Sequence, residues 1–231
     1  YTVDELCEAT VDIIKKNNIK SCYIRPLAYY GYGQMGVDPT GAPVDVIIAV
    51  WPWDAYLGAE ALENGIKVGV SSWRQRSFNA IPPAVKSSAS YMNSILAKKE
   101  ATLHGYAEAI MLNEEGRVCE GTGENIFVVR NGILSTPPLS DGLLEGITRD
   151  TILTLATDMD IPAIEESLTR SDLYIADEAF MTGSAAELTP INSIDDRVIG
   201  KRGPITEALQ KRYFDVAYGK VPEYEDWITR F

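Results

Sequence analysis

The pattern of apolar and polar positions over the first sixty residues predicts a helix followed by two strands. Thr2 stands three positions before Glu5, the spacing of a capping box, and the apolar residues that follow recur near a helical period. The run VDVIIAV at 44–50 is apolar almost throughout, which is typical of a buried strand. We therefore predict a small α/β domain over 1–60. Its elements are a helix over 2–18, strands over 20–30 and 44–50, and a glycine-rich loop over 31–41.

The remaining pattern predicts a larger domain over 69–231, joined to the first by a connection at 61–68. Four short apolar segments separated by polar turns predict a β-meander or barrel-like sheet, so the fold class is α/β (α+β). Because proline is tolerated in a first helical turn, we expect a helix that begins after Pro82 and carries Lys86 and Tyr91. The predicted elements are a strand over 67–73, that helix to about 104, strands over 108–113, 117–121, 124–129 and 132–137, a helix over 146–159, two strands within 177–195 and a closing helix over 204–220.

Composition narrows the classes of partner. The chain has 231 residues, 45% of them apolar, which is enough for a core, and its longest apolar run is too short to span a membrane. The net charge of −12 is spread along the chain and argues against nucleic-acid binding, so we expect a small-molecule partner. His104 is the only histidine, which disfavours a catalytic triad or a metal site. Three cysteines without CxxC spacing, Cys7, Cys22 and Cys119, favour reduced core thiols in a cytoplasmic protein.

Two short segments have the character of anion-binding turns. The Walker motif is absent, and GTGENI at 121–126 lacks the third glycine of a dinucleotide fingerprint and leads into a strand. The sequence GIT at 146–148 opens a predicted helix, whose first N–H groups are unpaired and attract anions. The turn at 183–185 offers a second set of donors. Together they indicate one phosphorylated ligand, although most such segments taken alone are ordinary caps or turns.

Lys86 is the candidate nucleophile. The stretch AVKSSASYMN at 84–93 places it among apolar and small residues, five positions before Tyr91. Desolvation there would lower the pKa of the amine and let it attack an aldehyde. The alternative is a surface lysine whose stem packs on a helix while its ammonium stays in water.

The order and spacing of these segments resemble the fold-type IV pyridoxal-phosphate enzymes, and specifically the branched-chain amino-acid aminotransferases. The resemblance covers essentially the whole chain. It implies transamination between leucine, isoleucine or valine and 2-oxoglutarate in two half-reactions, with pyridoxal 5′-phosphate as cofactor, in branched-chain amino-acid biosynthesis. The motifs that carry it are Lys86 in its small-residue segment, EGTGENIF at 120–127, GIT at 146–148, GSAAELTP at 183–190, YIRP at 23–26, PWDAYLG at 52–58 and SSWRQRSFNAIPP at 71–83.

The resemblance also implies roles for the residues that contact the cofactor. Lys86 would be the Schiff-base lysine and then the acid and base that moves the substrate proton. Glu120 would keep the pyridine nitrogen protonated, so that the ring accepts electrons when the Cα–H bond breaks. The other implied contacts are Tyr91 at the phenolic oxygen and Ile147, Thr148, Gly183 and Ser184 at the phosphate, with Glu124 and Asn125 holding the turn by hydrogen bonds.

The implied substrate site draws on both domains. Arg25 suits a distal carboxylate because its guanidinium donates two parallel hydrogen bonds, although a strand-edge ion pair is an alternative explanation for this residue. Trp53 and Met35 would line the apolar part of the pocket, or belong to a core. The full implied set is Tyr23, Ser184 and Ala185 at the α-carboxylate, Arg25 and Tyr56 at the distal carboxylate, and Trp53 and Met35 around the side chain.

Several alternatives stay open at this stage. A D-amino-acid aminotransferase or an aminodeoxychorismate lyase would share Lys86 and Glu120, and a cofactor-free relative would share only the fold. The family carries further small-domain residues and a phosphate-binding arginine upstream of Tyr1, so we expect that the sequence begins partway into a longer protein. The family also implies a homodimer or higher assembly, with the loop at 31–41 completing a partner's pocket. The preferred amino donor, the oligomer size and the physiological direction are left undecided.

Overall fold

The computed structural model describes residues 1–53 and 56–231, which fall into two compact units. The first comprises Tyr1–Asp54 with Arg230–Phe231, and the second comprises Ala55–Thr229. The division lies before residue 60, where the sequence predicts the small domain to end. The segment predicted as a connection, 61–68, lies inside the second unit and forms parts of a helix and a strand.

The first unit contains one helix and a two-stranded sheet: α1 (Val3–Asn17), β1 (Tyr23–Tyr30) and β2 (Val44–Trp51). The predicted capping box is confirmed, because the Thr2 side chain accepts from the Glu5 N–H while the Glu5 carboxylate accepts from the Thr2 N–H. The strands pair antiparallel with Tyr23 opposite Trp51. The prediction that β2 is buried is wrong for this unit, since its residues are only half-buried or exposed. A sheet of two strands has too few neighbours to cover both faces.

The second unit holds a nine-stranded sheet and five helices within its described residues. Its elements are α2 (Ala59–Asn64), β3 (Ile66–Arg74), α3 (Tyr91–Leu103), β4 (Glu108–Leu112), β5 (Val118–Glu120), β6 (Asn125–Arg130), β7 (Ile133–Thr136), α4 (Ile147–Asp158), β8 (Ala163–Glu165), α5 (Arg170–Tyr174), β9 (Glu178–Gly183), β10 (Glu187–Ile194), β11 (Arg197–Val198) and α6 (Pro204–Ala217).

The sheet of the second unit curls, which confirms the barrel-like prediction. Its strand order is β5-β4-β3-β10-β9-β6-β7-β8, with β11 beside β10. The two ends approach each other, since the Val118 N–H donates to the Leu168 carbonyl over 2.8 Å and Arg117 bridges to Thr169. The predicted meander is wrong, because β6 pairs with β9 rather than with β5. Strand β6, whose first five residues are buried, lies between β9 and β7 in the sheet.

Alternate residues of the central strands enter two separate cores, as the two-residue period of a strand requires. On β6, Ile126 and Val128 point into the interior of the curled sheet, whereas Phe127 and Val129 belong to the cluster that contains residues of α4 and α6. Phe127 stacks on Phe180 of β9, with ring centroids 5.1 Å apart. Burial on both faces explains why these strands read as continuous apolar runs.

Helix α3 begins later than the sequence predicts. A helix from Pro82 would place Lys86 in its first turns, but α3 starts at Tyr91 and Lys86 lies in the irregular segment before it. The local cause is Ser87, whose side chain accepts from the Ala89 N–H and starts a short 3-10 turn that leads into α3. The backbone around Lys86 is therefore a loop.

Candidate active site

Glu120 ends β5 and is held by two donors from other parts of the second unit. The side-chain Nε2 of Gln75 donates to Glu120 Oε1, and the backbone N–H of Leu144 donates to Oε2 over 3.0 Å. Burial raises the pKa of Glu120 to about 7, while the Leu144 N–H and the nearby cations Arg76 and Lys86 oppose that rise. This carboxyl is thus balanced between its charged and neutral forms near neutral pH.

Lys86 lies close to both Tyr91 and Glu120. Its Nζ stands 5.8 Å from the centroid of the Tyr91 ring, and its charge lowers the pKa of the Glu120 carboxyl. Lys86 is exposed, so the predicted desolvated setting of its amine is wrong, and within the described part of the chain its Nζ has no hydrogen bond or ion pair. An amine, a phenol and a carboxyl group therefore lie near one another in the second unit.

The start of α4 lies beside the Glu120 turn. Gly146 precedes the first helical residue, and no side chain from residues 1–53 or 56–231 caps the first turn. Asn125 occupies the space that a side chain at Gly146 would need, since its Oδ1 would clash with a Cβ at that position. Asn125 Nδ2 also donates to the Leu144 carbonyl over 2.8 Å. The free N–H groups of Ile147 and Thr148 are consequently held near Glu120.

The turn between β9 and β10 also lies close to the turn at 121–124, which follows Glu120. Asn125 of β6 pairs with Thr182 of β9, which brings Gly183 to the turn at 121–124. A Cβ at Gly183 would lie 3.4 Å from the Gly123 carbonyl oxygen, so the two backbones approach closely. Ser184 and Ala185 follow in this turn. The two predicted anion-binding segments, the start of α4 and the β9–β10 turn, are therefore neighbours of one another and of Glu120.

A pair of buried acids lies beneath the turn at 121–124. Glu108 accepts from Thr122 Oγ1 over 2.7 Å and forms an ion pair with Lys98, whose Nζ lies 2.6 Å from Glu108 Oε2. Glu124 Oε2 accepts from the Gly123 N–H over 3.0 Å. Burial and the neighbouring Glu108 carboxylate raise the pKa of Glu124 to about 8. Sequence reasoning gave Glu124 a hydrogen-bonding role in the turn, which these contacts confirm.

The raised pKa of Glu124 predicts a stability that falls with pH. Between about pH 4.5 and pH 8 the folded protein keeps a proton on Glu124 that the unfolded chain releases. The free energy of unfolding then decreases as pH rises, by at most about 1.4 kcal/mol per pH unit for one proton. We expect Glu124→Gln to flatten this slope and to be more stable than the parent at pH 8, as measured by urea unfolding at pH 5, 6, 7 and 8. Exposed Glu114→Gln is the control, and an unchanged slope in Glu124→Gln would contradict the assignment.

Three of the predicted substrate residues of the first unit, Tyr23, Arg25 and Trp53, lie together, and Met35 lies apart from them. Arg25 Nη2 donates to the Tyr23 hydroxyl over 2.9 Å, and the Tyr23 ring meets Trp53 edge to face at 4.6 Å between centroids. Arg25 has no ion pair among the described residues, so the strand-edge ion pair is not formed. Met35 is fully exposed in the loop between β1 and β2.

Tyr56 connects to the second unit's site through Lys98. Lys98 Nζ lies 5.7 Å from the centroid of the Tyr56 ring, and Lys98 in turn binds Glu108 under the Glu120 turn. Asp54 and Ala55 of the same PWDAYLG motif lie outside the described residues. Within the second unit, Tyr56 is therefore linked through Lys98 to Glu108, which holds the turn after Glu120.

Sequence reasoning missed three residues that shape this site: Gln75, Arg76 and Glu108. Gln75 and Arg76 lie in the SSWRQRSFNAIPP motif, which carries the resemblance, but nothing in their spacing shows that they reach Glu120. Glu108 had a usable signal, because it opens an otherwise apolar strand and a carboxylate there must find a partner. The cysteine prediction is half right, since Cys119 is buried but Cys7 is exposed.

The donor set fits pyridoxal 5′-phosphate. The cofactor needs an amine for its aldehyde, an acceptor for its ring N–H and N–H donors for its phosphate. Lys86 offers the amine, Glu120 the acceptor, and the uncapped start of α4 the donors. Within the described ranges no cluster of His, Cys, Asp and Glu is arranged to hold a metal ion, and none of the helices has the length and apolarity to cross a membrane.

Comparison with known proteins places the chain among close relatives. The model of the family "Amino-transferase class IV" matches residues 1–194. The branched-chain-amino-acid aminotransferase of Pseudomonas aeruginosa is 49% identical over an alignment of 231 residues that covers 99% of this chain and 75% of that protein. The crystal structure of the branched-chain aminotransferase of Thermoproteus uzoniensis with norvaline superposes with a TM-score of 0.95 at 47% identity, covering 99% of this chain and 76% of that one. The Thermobaculum terrenum enzyme in its PLP-form gives a TM-score of 0.93 at 39% identity, with 99% and 75% covered.

Proposed function

The chain belongs to the class IV aminotransferases, and we propose that it moves the amino group between branched-chain L-amino acids and 2-oxoglutarate. Its cofactor is pyridoxal 5′-phosphate, as the family and the cofactor-bound relatives show. The main support for the proposal is that Lys86, Glu120 and the start of α4 lie close together in the second unit. A protein with a merely structural role has no need for an exposed amine beside a carboxyl of pKa about 7.

When bound, the cofactor supplies an aldehyde that accepts the amino group and a ring that accepts the electron pair released as the Cα–H bond breaks. Glu120 would hold a proton at the ring nitrogen by remaining ionised, which keeps the ring electron-poor. Tyr91 would donate toward the phenolic oxygen. The phosphate would be held by the N–H groups of Ile147 and Thr148 and by the turn at Gly183 and Ser184, because a helix start and a glycine turn both present unpaired donors.

Lys86 has two tasks in this proposal. Its amine would be the nucleophile toward the cofactor aldehyde, with water as the leaving group. Its Nζ would also accept the proton from the substrate Cα and donate it to the C4′ carbon of the cofactor. Its position in a loop before α3 leaves the amine free of internal hydrogen bonds within the described residues, which suits a group that must exchange partners.

For substrate selection we propose that the Tyr23–Arg25 pair serves carboxylate recognition. A guanidinium already oriented by a tyrosine hydroxyl loses less conformational freedom when it binds a carboxylate. The α-carboxylate would be held by Tyr23 with Ser184 and Ala185, and the distal carboxylate of glutamate by Arg25 and Tyr56. Trp53 and Met35 would face the aliphatic side chain.

The assembly and the kinetics belong to the same proposal. We expect ping-pong kinetics, because one site handles the two amino acids in turn. A homodimer or higher assembly is expected, with the loop at 31–41, which carries the exposed Met35 and Val37, facing a partner. The three unpaired cysteines are compatible with a cytoplasmic enzyme.

A panel of amino donors tests the function. Purified protein with pyridoxal phosphate and 2-oxoglutarate is assayed for glutamate formation from L-leucine, L-isoleucine, L-valine, D-alanine and D-leucine. We expect turnover with the three L-amino acids and none with the D-amino acids. Turnover with D-alanine alone would establish a D-amino-acid aminotransferase, and release of pyruvate from aminodeoxychorismate would establish a lyase; either result contradicts the proposal.

A further inference from the structure

Gln75 has a buried side-chain amide in which both the oxygen and the nitrogen form hydrogen bonds. It follows β3, is 2% exposed, and its backbone N–H donates to the Leu112 carbonyl over 2.8 Å. Its side-chain Oε1 accepts from the Arg76 N–H over 3.1 Å and from Arg76 Nη1 over 3.3 Å. Its Nε2 donates to Glu120 Oε1. An amide this buried and this connected has a fixed orientation.

The orientation of the amide follows from what its neighbours can do. The N–H and guanidinium of Arg76 are donors only, and an ionised carboxylate is an acceptor only. The amide satisfies both sides in one orientation alone, with Oε1 toward Arg76 and Nε2 toward Glu120. The Arg76 guanidinium is itself held by the Ser90 carbonyl, over 3.4 Å. A polarised chain of hydrogen bonds thus runs from Arg76 through Gln75 to Glu120.

We propose that Gln75, oriented by Arg76, is a positioning residue that keeps the Glu120 carboxylate ionised and aimed at the cofactor's ring nitrogen. The target of Glu120 rests on the proposed function, whereas the effect of Gln75 on the charge of Glu120 does not. Removing the Gln75 donor leaves a partly buried carboxylate with one hydrogen bond fewer to its charged form. The neutral form of Glu120 then becomes more populated.

The other charges near Glu120 set the size of this effect. Arg76 and Lys86 favour the ionised form, while burial favours the neutral form. Burial also raises the pKa values of two titratable neighbours, Glu124 and the thiol of Cys119. A hydrogen bond to a charged group corresponds to roughly one to two pKa units, so we expect the midpoint of Glu120 to rise by about one unit or more without Gln75.

The test is a titration of Glu120 in the cofactor-free protein. Carbon-13 NMR of labelled glutamate carboxyl groups follows the titration, and Glu120→Gln identifies the Glu120 signal. We expect a midpoint near pH 7 in the parent and about one pH unit higher in Gln75→Met, which keeps the side-chain volume and lacks the donor. An unchanged midpoint in Gln75→Met would overturn the proposal, whatever the enzyme does with amino acids.

A matched control separates this effect from a loss of packing. Gln210 is also a buried amide; its Nε2 donates to the Leu62 and Leu188 carbonyls, and its Oε1 accepts from Arg202 Nη1. We expect Gln210→Met to reduce stability without moving the Glu120 midpoint. If Gln75→Met does not fold, Gln75→Leu carries the test, because it also lacks the donor and leaves the charge of Arg76 in place; there too the midpoint must rise.

A second readout uses the loaded enzyme. With Gln75→Met, the acid limb of the pH profile of kcat should move to higher pH by the same amount as the NMR midpoint, with KM for L-leucine changed less than twofold. A shift in NMR without turnover in the parent would disprove the aminotransferase function and retain the role of Gln75. Equal loss at every pH would show a structural role only and overturn the proposal.

Discussion

Replacing Lys86 with alanine is expected to lower kcat/KM for L-leucine and 2-oxoglutarate by about a thousandfold or more, because one residue supplies both the nucleophile and the proton carrier. The protein should keep its fold, since Lys86 is exposed and makes no hydrogen bond within the described residues. The measurement is coupled glutamate formation alongside a thermal melt. Activity within tenfold of the parent, at an unchanged melting temperature, would contradict the role of Lys86.

Two controls sharpen this result. Lys99 is an exposed lysine on α3, and Lys99→Ala should leave activity within about twofold of the parent. A small alkylamine added to Lys86→Ala should restore part of the activity, since it replaces the missing amine. Restoration in Lys86→Ala and none in a heat-inactivated sample would show that the missing group is the amine itself.

Glu120→Gln is expected to lower kcat by about a hundredfold to a thousandfold, with a smaller effect on binding of L-leucine. The amide fills the same space but cannot carry the charge that holds a proton at the ring nitrogen. Single-turnover kinetics with L-leucine measure the step directly. A rate within threefold of the parent would contradict the electrostatic role of Glu120.

The matched control for Glu120 is Glu100. Its carboxylate accepts from Ser72 N–H over 2.9 Å and from the hydroxyls of Ser71 and Ser72, which lower its pKa against the effect of burial. Glu100→Gln removes a hydrogen-bonded carboxylate of comparable connectivity from the same unit. We expect activity within about threefold of the parent, so that charge at position 120 rather than loss of any carboxylate explains the result.

Helices and strands could be predicted from the sequence where a short motif or a run of apolar residues determines them. The capping box at Thr2 and Glu5 defines the start of α1, and continuous apolar runs in β6 and β9 give strands. Glu120, GIT at 146–148 and the turn at 183–185 are also visible in the sequence, although only their combination with Lys86 in one order and spacing distinguishes them from ordinary caps and turns.

Long-range partners are not visible in the sequence. Strands that are neighbours in sequence usually pair, which predicts that β5 pairs with β6. In the sheet they are not neighbours, because the strand order depends on which face each strand buries. The loop at Lys86 depends on a single serine side chain that diverts the backbone before α3. Gln75 lies 45 positions from Glu120, and only the curled sheet brings the amide to the carboxylate.

The most direct test of the central assignment is an absorption spectrum of the 231-residue protein with pyridoxal phosphate, recorded before and after L-leucine is added. We expect a long-wavelength band of cofactor joined to a lysine, absent in Lys86→Ala, that bleaches with L-leucine as the pyridoxamine form appears. A spectrum identical to that of free cofactor, unchanged by L-leucine, would contradict the assignment of Lys86 and Glu120 as the working centre of this chain.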